Sequence, residues 1–253
     1  MSGHSKWATT KHRKAAQDAK RSALFSKLSR NITVAAREGG DPNPDNNAGL
    51  AAAIAKAKSY SLPKDKIDTA IKKAFGSGSE ATQFESVVYE GYGPAGIAIL
   101  CEALTDNRNR TAADVRSAFS HAGGNLGTTG SVAFQFERKG QITLDKAQAT
   151  DEDEFMLMVA EAGGEDYADA EDEWMVITEP TQLAQVKTGL EAQGLEVKGY
   201  EMIMLPTTQS AVNLADAKKV MRLVDRLEEL EDLQNVYHSM EITDEIAAAL
   251  DEE

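Results

Sequence analysis

The fold is decided by residues 140–206, which read GQITLDKAQATDEDEFMLMVAEAGGEDYADAEDEWMVITEPTQLAQVKTGLEAQGLEVKGYEMIMLP. Four short apolar runs predict strands at 141–144, near 167, at 174–178 and at 195–204, and helical spacing predicts helices at 152–162 and 181–193. The order βαββαβ is that of the ferredoxin-like unit. We therefore expect an α/β domain at residues 139–206.

The sequence on both sides of this unit predicts a second α/β domain. Upstream, residues 86–92 and 97–104 predict a hairpin, and residues 132–136 a further strand. Between them lies a helix that opens with a capping box at Thr111 and closes at Gly123-Gly124. Downstream, an apolar period from Val220 to Leu230 predicts a helix, and residues 235–238 predict a strand. These elements need a common sheet, so we expect residues 83–138 and 207–242 to form a middle domain that the first unit interrupts.

Residues 1–78 have the texture of a helical domain, which ends at the flexible connection Gly76-Ser77-Gly78-Ser79. An apolar stripe of Leu24, Leu28, Ile32 and Ala35 predicts the first helix, and further helices follow at 48–58 and from Pro63. The predicted class is thus α+β multidomain: an N-terminal helical domain, then two α/β domains, the third inserted into the second. Residues 243–253 would form an acidic C-terminal tail.

The composition of the chain and its first residues limit where the protein can act and which sites it can form. No apolar run approaches the roughly 20 residues of a membrane-spanning helix, and the first residues are basic rather than signal-like, so we expect a cytoplasmic protein without a membrane partner. Cys101 is the single cysteine, which excludes an internal disulfide or a thiolate metal site. Its apolar neighbours predict a buried strand position.

Charge is distributed unevenly along the chain. The net charge is −14, but residues 1–75 hold fifteen basic and six acidic residues, a balance of +9. The remainder holds twelve basic and 35 acidic residues, a balance of −23, with eleven acids and no base between Asp151 and Glu173. A basic end offers contacts to phosphates, while an acidic body is repelled by the same polyanion.

The basic residues at the start of the chain form the main candidate site. Cations neutralise phosphates, and Trp7 can stack on an unpaired base or instead anchor the arm to its own helices. A solvated tail is the plainer alternative. His4 and His12 are eight positions apart with no cysteine nearby, so we expect no metal site. The candidate contacts are His4, Lys6, Trp7, Lys11, His12, Arg13, Lys14, Lys20, Arg21, Lys27, Arg30 and Arg37.

A second candidate site is the segment Asn107-Arg108-Asn109-Arg110, just before the predicted helix cap. A helix N-terminus already carries partial positive charge, so Arg108 and Arg110 suit a bound phosphate, unless they pair with acids of the body and fix the turn. The nearby GGNLGTTG at 123–130 runs from helix to strand and lacks lysine, which excludes a P-loop. A helix stop with a connector, or a loop that fits RNA, are the remaining interpretations.

The sequence predicts no catalytic centre. No nucleophile is paired with a base, and the acids of 151–173 form a run that is typical of a solvated helix face, with magnesium binding there as an alternative. We therefore expect no cofactor and no small-molecule substrate, and we expect a monomer.

Several motifs together resemble one family. GHSKWA at 3–8, KHRK at 11–14, DAKR at 18–21, YEGYGP at 89–94, TDNRNRT at 105–111, GGNLG at 123–127 and VYH at 236–238 are similar to the YebC/PmpR family, which includes the mitochondrial translational activator of cytochrome c oxidase. The resemblance covers nearly the whole chain. Departures at Thr9, Ser22-Ala23 and Thr129 leave it intact, although the absence of a cation at position 23 slightly weakens the basic arm.

The resemblance implies three domains, two of them α/β with one interrupting the other. It implies either a DNA-binding transcriptional regulator or a ribosome-associated translation factor that relieves stalling, with rRNA or tRNA, or promoter DNA, as the partner. The basic segment carries an aromatic residue, and no helix-turn-helix pair is evident, which favours RNA. A protein-interaction scaffold is a third possibility, and the weak salt dependence of an apolar interface would distinguish it.

Overall fold

The computed structural model describes the backbone of residues 17–76, 84–170 and 172–251, and the side chains of all of these except 17–21 and 251. The helices and strands of the described chain follow in the order α1 (Gln17–Gly39), α2 (Ala48–Ser59), α3 (Lys64–Phe75), β1 (Glu85–Tyr92), β2 (Ala98–Thr105), α4 (Arg108–His121), β3 (Asn125–Leu126), β4 (Phe136–Asp145), α5 (Glu152–Ala162), β5 (Asp166–Ala170), β6 (Glu173–Thr178), α6 (Leu183–Ala192), β7 (Val197–Pro206), α7 (Leu214–Glu228), β8 (Leu233–His238) and α8 (Asp244–Asp251). The protein is therefore an α+β protein, as predicted.

The three N-terminal helices bury an apolar stripe from each helix. Leu28 and Ile32 of α1 are buried as predicted, but the fully buried alanine is Ala36, and the predicted Ala35 is half-buried. The turn between α1 and α2 is held by Asn47, whose Oδ1 caps α2 at Leu50 N while its Nδ2 donates to the carbonyl groups of Ala35 and Asp41. One side chain thus caps α2 and also ties it to the end of α1 and to the turn between the two helices.

The first sheet has the strand order β3-β1-β2-β8. The hairpin β1–β2 is antiparallel, with Tyr89 opposite Cys101, and β8 pairs antiparallel with β2 although the whole second sheet separates them in sequence. One core joins this sheet to α4 and α7, with Phe119, Val220, Leu223 and Leu227 among its buried residues. Cys101 is fully buried in β2, as predicted, and burial raises the pKa of its thiol.

The second sheet has the strand order β5-β6-β4-β7. Strand β6 pairs antiparallel with both β4 and β5. Helices α5 and α6 contribute Phe155, Val159, Val186 and Leu190 to its core, in which the ring of Trp174 stacks on that of Phe155 at 4.6 Å. The βαββαβ order predicted for residues 139–206 is therefore present.

Three predictions about local structure are wrong. Helix α4 begins at Arg108 with Asn107 as its N-cap, not at a capping box on Thr111, because the Asn107 Oδ1 accepts from Arg110 N. The segment Val132–Phe136 is not a strand: Ala133–Gln135 form a single turn of 3-10 helix, and β4 runs unbroken from Phe136. The predicted C-terminal tail contains α8, in which Ile246 is buried.

Contacts divide the described chain into two units. One unit contains residues 28–76 together with 138–203, and within it Lys56 of α2 forms an ion pair with Glu201 of β7. The other unit contains residues 17–27, 84–137 and 204–251. Most of the second sheet belongs to the former unit and most of the first sheet to the latter, and the division falls within α1.

Candidate nucleic-acid interface

The basic arm predicted to bind nucleic acid lies mostly outside the described residues. This applies to His4, Lys6, Trp7, Lys11, His12, Arg13 and Lys14. Lys20 and Arg21 lie in α1, but their side chains are outside the described part of the structure. The arm therefore stays a prediction from charge and composition.

Three of the candidate contacts, Lys27, Arg30 and Arg37, lie on α1, where their side chains are half-buried and have partners within the protein. Lys27 donates its Nζ to the carbonyl oxygen of Glu228 at the end of α7. Arg30 and Arg37 also have partners and are half-buried. They lie on the opposite side of α1 from Leu28 and Ile32, as the helical period requires. Their positive charges therefore lie at the protein surface and do not extend far into solvent.

Helices α2 and α3 carry exposed lysines that the prediction counted but did not name as contacts. Each helix ends with a basic last turn, and Tyr60 and Phe75 are 37% and 44% exposed beside these lysines in sequence. Lysines interleaved with aromatic rings are typical of surfaces that bind nucleic acid. The sequence did contain a signal for these lysines, because the amphipathic spacing of α3 places its apolar residues inward and its lysines on the exposed face. The exposed lysines are Lys58, Lys64, Lys66, Lys72 and Lys73.

Arg110 has the structural role that the sequence left open. Its Nη2 donates to Asp106 Oδ1 at 2.8 Å and to Asp232 Oδ2 at 2.7 Å, and these hydrogen bonds raise the pKa of the guanidinium further. The carboxylate of Asp232 is buried and also accepts from the hydroxyl groups of Thr105 and Thr111. Arg110 therefore fixes the start of α4 to the turn before β8.

Arg108 is placed differently. Its side chain is 63% exposed, and its Nη1 lies 3.7 Å from Glu85 Oε2, a long contact between two exposed groups that contributes little. Its carbonyl oxygen accepts from the hydroxyl of Tyr89, whose pKa is raised, chiefly by burial. The structure thus separates two arginines that the sequence offered as one site, and leaves Arg108 available to an anion.

The glycine-rich segment 123–130 ends α4 and enters β3, which pairs with β1 at Gly91 and Tyr92. Gly123 has φ of +76°, the left-handed conformation that ends a helix. The amide groups that follow point at an anion, but that anion is the carboxylate of Glu90 in β1: Gly130, Val132 and Ala133 donate to it at 2.7–2.8 Å. Gly130, the last glycine of the segment, therefore donates its amide to a carboxylate of the protein itself.

Nowhere in 17–76, 84–170 and 172–251 do three His, Cys, Asp or Glu side chains converge as metal ligands. Among those residues there is also no helix long and apolar enough to cross a membrane. Within the acidic run, Asp151 caps α5 and Asp169 pairs with Lys146, which accounts for two of its carboxylates structurally.

The described chain thus has a helical N-terminal segment with exposed lysines, followed by two four-stranded sheets with their helices. The chain belongs to the TACO1/YebC family. The model of the family's N-terminal domain matches residues 5–77, and that of its second and third domain matches residues 84–240. The resemblance read from the motifs is therefore confirmed.

Relatives in bacteria match over the full length. Proteins from Bifidobacterium animalis, Rubrobacter xylanophilus and Aeromonas hydrophila are 47%, 49% and 50% identical over 98–100% of both chains, and each is named "Probable transcriptional regulatory protein". The crystal structure of a conserved hypothetical protein, Aq1575, from Aquifex aeolicus is 42% identical and superposes with a TM-score of 0.84 over 94% of this chain and 97% of that one.

Proposed function

We propose that the protein is a non-enzymatic, nucleic-acid-binding regulator of gene expression that acts on RNA at the ribosome, in the cytoplasm, and relieves stalled translation. The observation that carries the proposal is the division of charge, +9 over residues 1–75 against −23 over the remainder. A polyanion is attracted to the first part and repelled by the second, so it contacts one side of the molecule. The exposed lysines of α2 and α3 add to this basic surface.

The proposed contacts follow from the same charge. Lys6, Lys11, Arg13, Lys14, Lys20 and Arg21 neutralise phosphates, while His4, Trp7 and His12 contact bases. Lys27, Arg30 and Arg37 attract the nucleic acid through their electrostatic field rather than by direct contact, because their side chains are half-buried and already have partners in the protein. Arg108 is a direct contact, and Arg110 keeps the start of α4 in place for it.

We also infer three domains, with residues 139–206 inserted between 83–138 and 207–242; the pairing of β8 with β2 supports this division.

A second candidate function is supported by the names of the relatives, which describe transcriptional regulators. That function requires tight, sequence-selective binding to duplex DNA at physiological salt. RNA is favoured because the predicted contacts combine cations with Trp7, and exposed rings also lie beside the lysines of α2 and α3. Aromatic rings stack on unpaired bases and have no such access inside a duplex.

The test is co-sedimentation of the purified protein with ribosomes. Wild-type protein should enter the ribosomal pellet, and replacing Lys11, Arg13 and Lys14 by Glu should release it. A matched control replaces Lys219, Arg222 and Arg226, which are exposed on α7, by Glu; this changes the net charge equally and should leave sedimentation unchanged. Wild-type protein that stays off ribosomes but binds a defined promoter tightly would contradict the proposal. Ribosome profiling of a deletion strain then reports which codons stall.

A further inference from the structure

The loop formed by residues 127–135, here named the Glu90 loop, is held by one buried carboxylate. Glu90 is 4% exposed; its Oε1 accepts from Gly130 N, and its Oε2 from Val132 N and Ala133 N, all at 2.7–2.8 Å. Its carbonyl oxygen accepts from Gly127 N at 2.7 Å. A buried carboxylate is costly without hydrogen bonds, so the loop and Glu90 stabilise each other in this one arrangement.

Two glycines make this arrangement possible. A Cβ atom at Gly127 would lie 2.4 Å from Ser131 Oγ, and Gly130 has φ of +86°, where other residues are strained. Tyr92 braces the other end: its hydroxyl donates to the carbonyl of Ser131 and accepts from Gln135 Nε2. Residues on both sides of position 134 are therefore tied to β1.

Phe134 is presented to solvent by this braced turn. It is 73% exposed, the largest exposed fraction among the large hydrophobic side chains of the described residues, while both of its neighbours are hydrogen-bonded to β1 residues. Leaving an aromatic ring in water forgoes the free energy that its burial would give. The other exposed residues of the loop are Thr128, Thr129 and Gly130, which are polar or lack a side chain.

We propose that Phe134 is a stacking platform for an unpaired nucleobase, a contact that rests on the proposed function and lies outside the basic segment. One exposed ring, in a loop that also exposes the polar residues Thr128 and Thr129, fits a single base, which has an apolar face and a polar edge. A protein partner would instead require a broader apolar patch around the ring. The braced loop reduces the entropy lost when the base binds, since the ring is already positioned.

The test measures binding of a fluorescent single-stranded RNA of about 16 nucleotides, a length that covers the usual site sizes. Phe134→Ala and Phe134→Leu should each weaken binding about 5- to 150-fold, as loss of one base stack does, while Phe134→Trp retains it. Val88→Ala, which removes an exposed apolar side chain elsewhere on β1, is the matched control and should bind normally. Phe134 is exposed, so none of these variants should lower the melting temperature by more than a few degrees.

Phe134→Leu separates stacking from a general apolar contact. Binding by Phe134→Leu at the wild-type level would overturn the inference, and so would equal losses on single-stranded and duplex probes. These outcomes leave the proposed function intact, because the wild-type protein still binds RNA. A wild-type protein that fails to bind the RNA probe contradicts both. A 2-aminopurine in the probe should change fluorescence on binding to wild-type protein but not to Phe134→Leu.

Discussion

Glu90 is a buried carboxylate whose partners are backbone amides rather than a cation. Its sequence neighbours give no sign of this, because an acid in a strand is ordinarily assigned to the solvent side. The amides come from residues 40–43 positions away along the chain. Burial alone raises the pKa of Glu90, but the three amide hydrogen bonds outweigh it, and the pKa is lowered overall.

The lowered pKa of Glu90 makes a prediction about acid stability. The native state releases this proton more readily than the unfolded state, so the stabilisation is present above the unfolded pKa of about 4.3 and is lost as the pH falls through the lower native value. Glu90→Gln should remove this pH dependence and should cost about 1–3 kcal/mol at pH 7, because an amide group then faces backbone donors. Urea unfolding between pH 7 and pH 3 measures both effects.

Glu161→Gln is the control for that measurement. Glu161 is exposed on α5, and its substitution should change the free energy of unfolding by no more than about 0.5 kcal/mol. If Glu90→Gln were as stable as wild type at pH 7 and lost stability in parallel with it on acidification, Glu90 would not hold the loop.

Arg108 and Arg110 show how much of the candidate site the sequence could specify. It identified both residues and both of their possible roles, but the choice for Arg110 depends on Asp232, which is 122 positions away. A contact between residues so far apart in sequence cannot be predicted from a local pattern. The arm, by contrast, was predicted from local charge alone, and that prediction has no structural counterpart within the described residues.

At the scale of elements, the sequence predicted most helices and strands because their apolar periods are strong. Helix α7, with Val220, Leu223, Val224 and Leu227 all buried, is one case. The sequence predicted separate strands at 132–136 and 141–144, whereas β4 runs through Gly140, which lies at a close approach: a Cβ atom there would lie 2.3 Å from Thr178 Oγ1. Residues 132–136 were predicted to form a strand, but the amide groups of Val132 and Ala133 donate to Glu90 instead of to a neighbouring strand.

The N-terminus of α4 gives a prediction that distinguishes the observed cap from the expected one. Asn107 caps the helix at Arg110 N, so Asn107→Ala should destabilise the protein by about 0.5–2 kcal/mol, and Asn107→Asp should be tolerated. Asn109→Ala, two residues further on in an exposed position, is the control; alanine has the higher helix propensity, and stability should not fall. Thermal unfolding measures all three. Equal losses from Asn107→Ala and Asn109→Ala would contradict the cap.

At the scale of the whole molecule, two features extend beyond any local pattern. The first is the return of the chain to its first sheet, where β8 pairs with β2 after the second sheet has been completed. The sequence predicted this only indirectly, from elements that lacked a sheet. The second is the separation of charge, which the sequence gives directly because charges can be counted without a fold. The overall charge of −14 conceals it.

The separation of charge predicts how salt affects binding. Phosphate contacts release counterions, so the logarithm of the RNA affinity should fall linearly with the logarithm of salt concentration, by about 0.7 for each contact to a single strand. Replacing Lys11, Arg13 and Lys14 by Glu should therefore reduce the slope by about 2. The control triple on α7, which replaces Lys219, Arg222 and Arg226, makes the net charge equally negative but should keep the slope. Fluorescence anisotropy between about 50 and 200 mM salt measures this slope.

Equal slopes for wild type and both triple variants would mean that the arm does not contact phosphates. A slope near zero for wild type would favour an apolar protein interface instead.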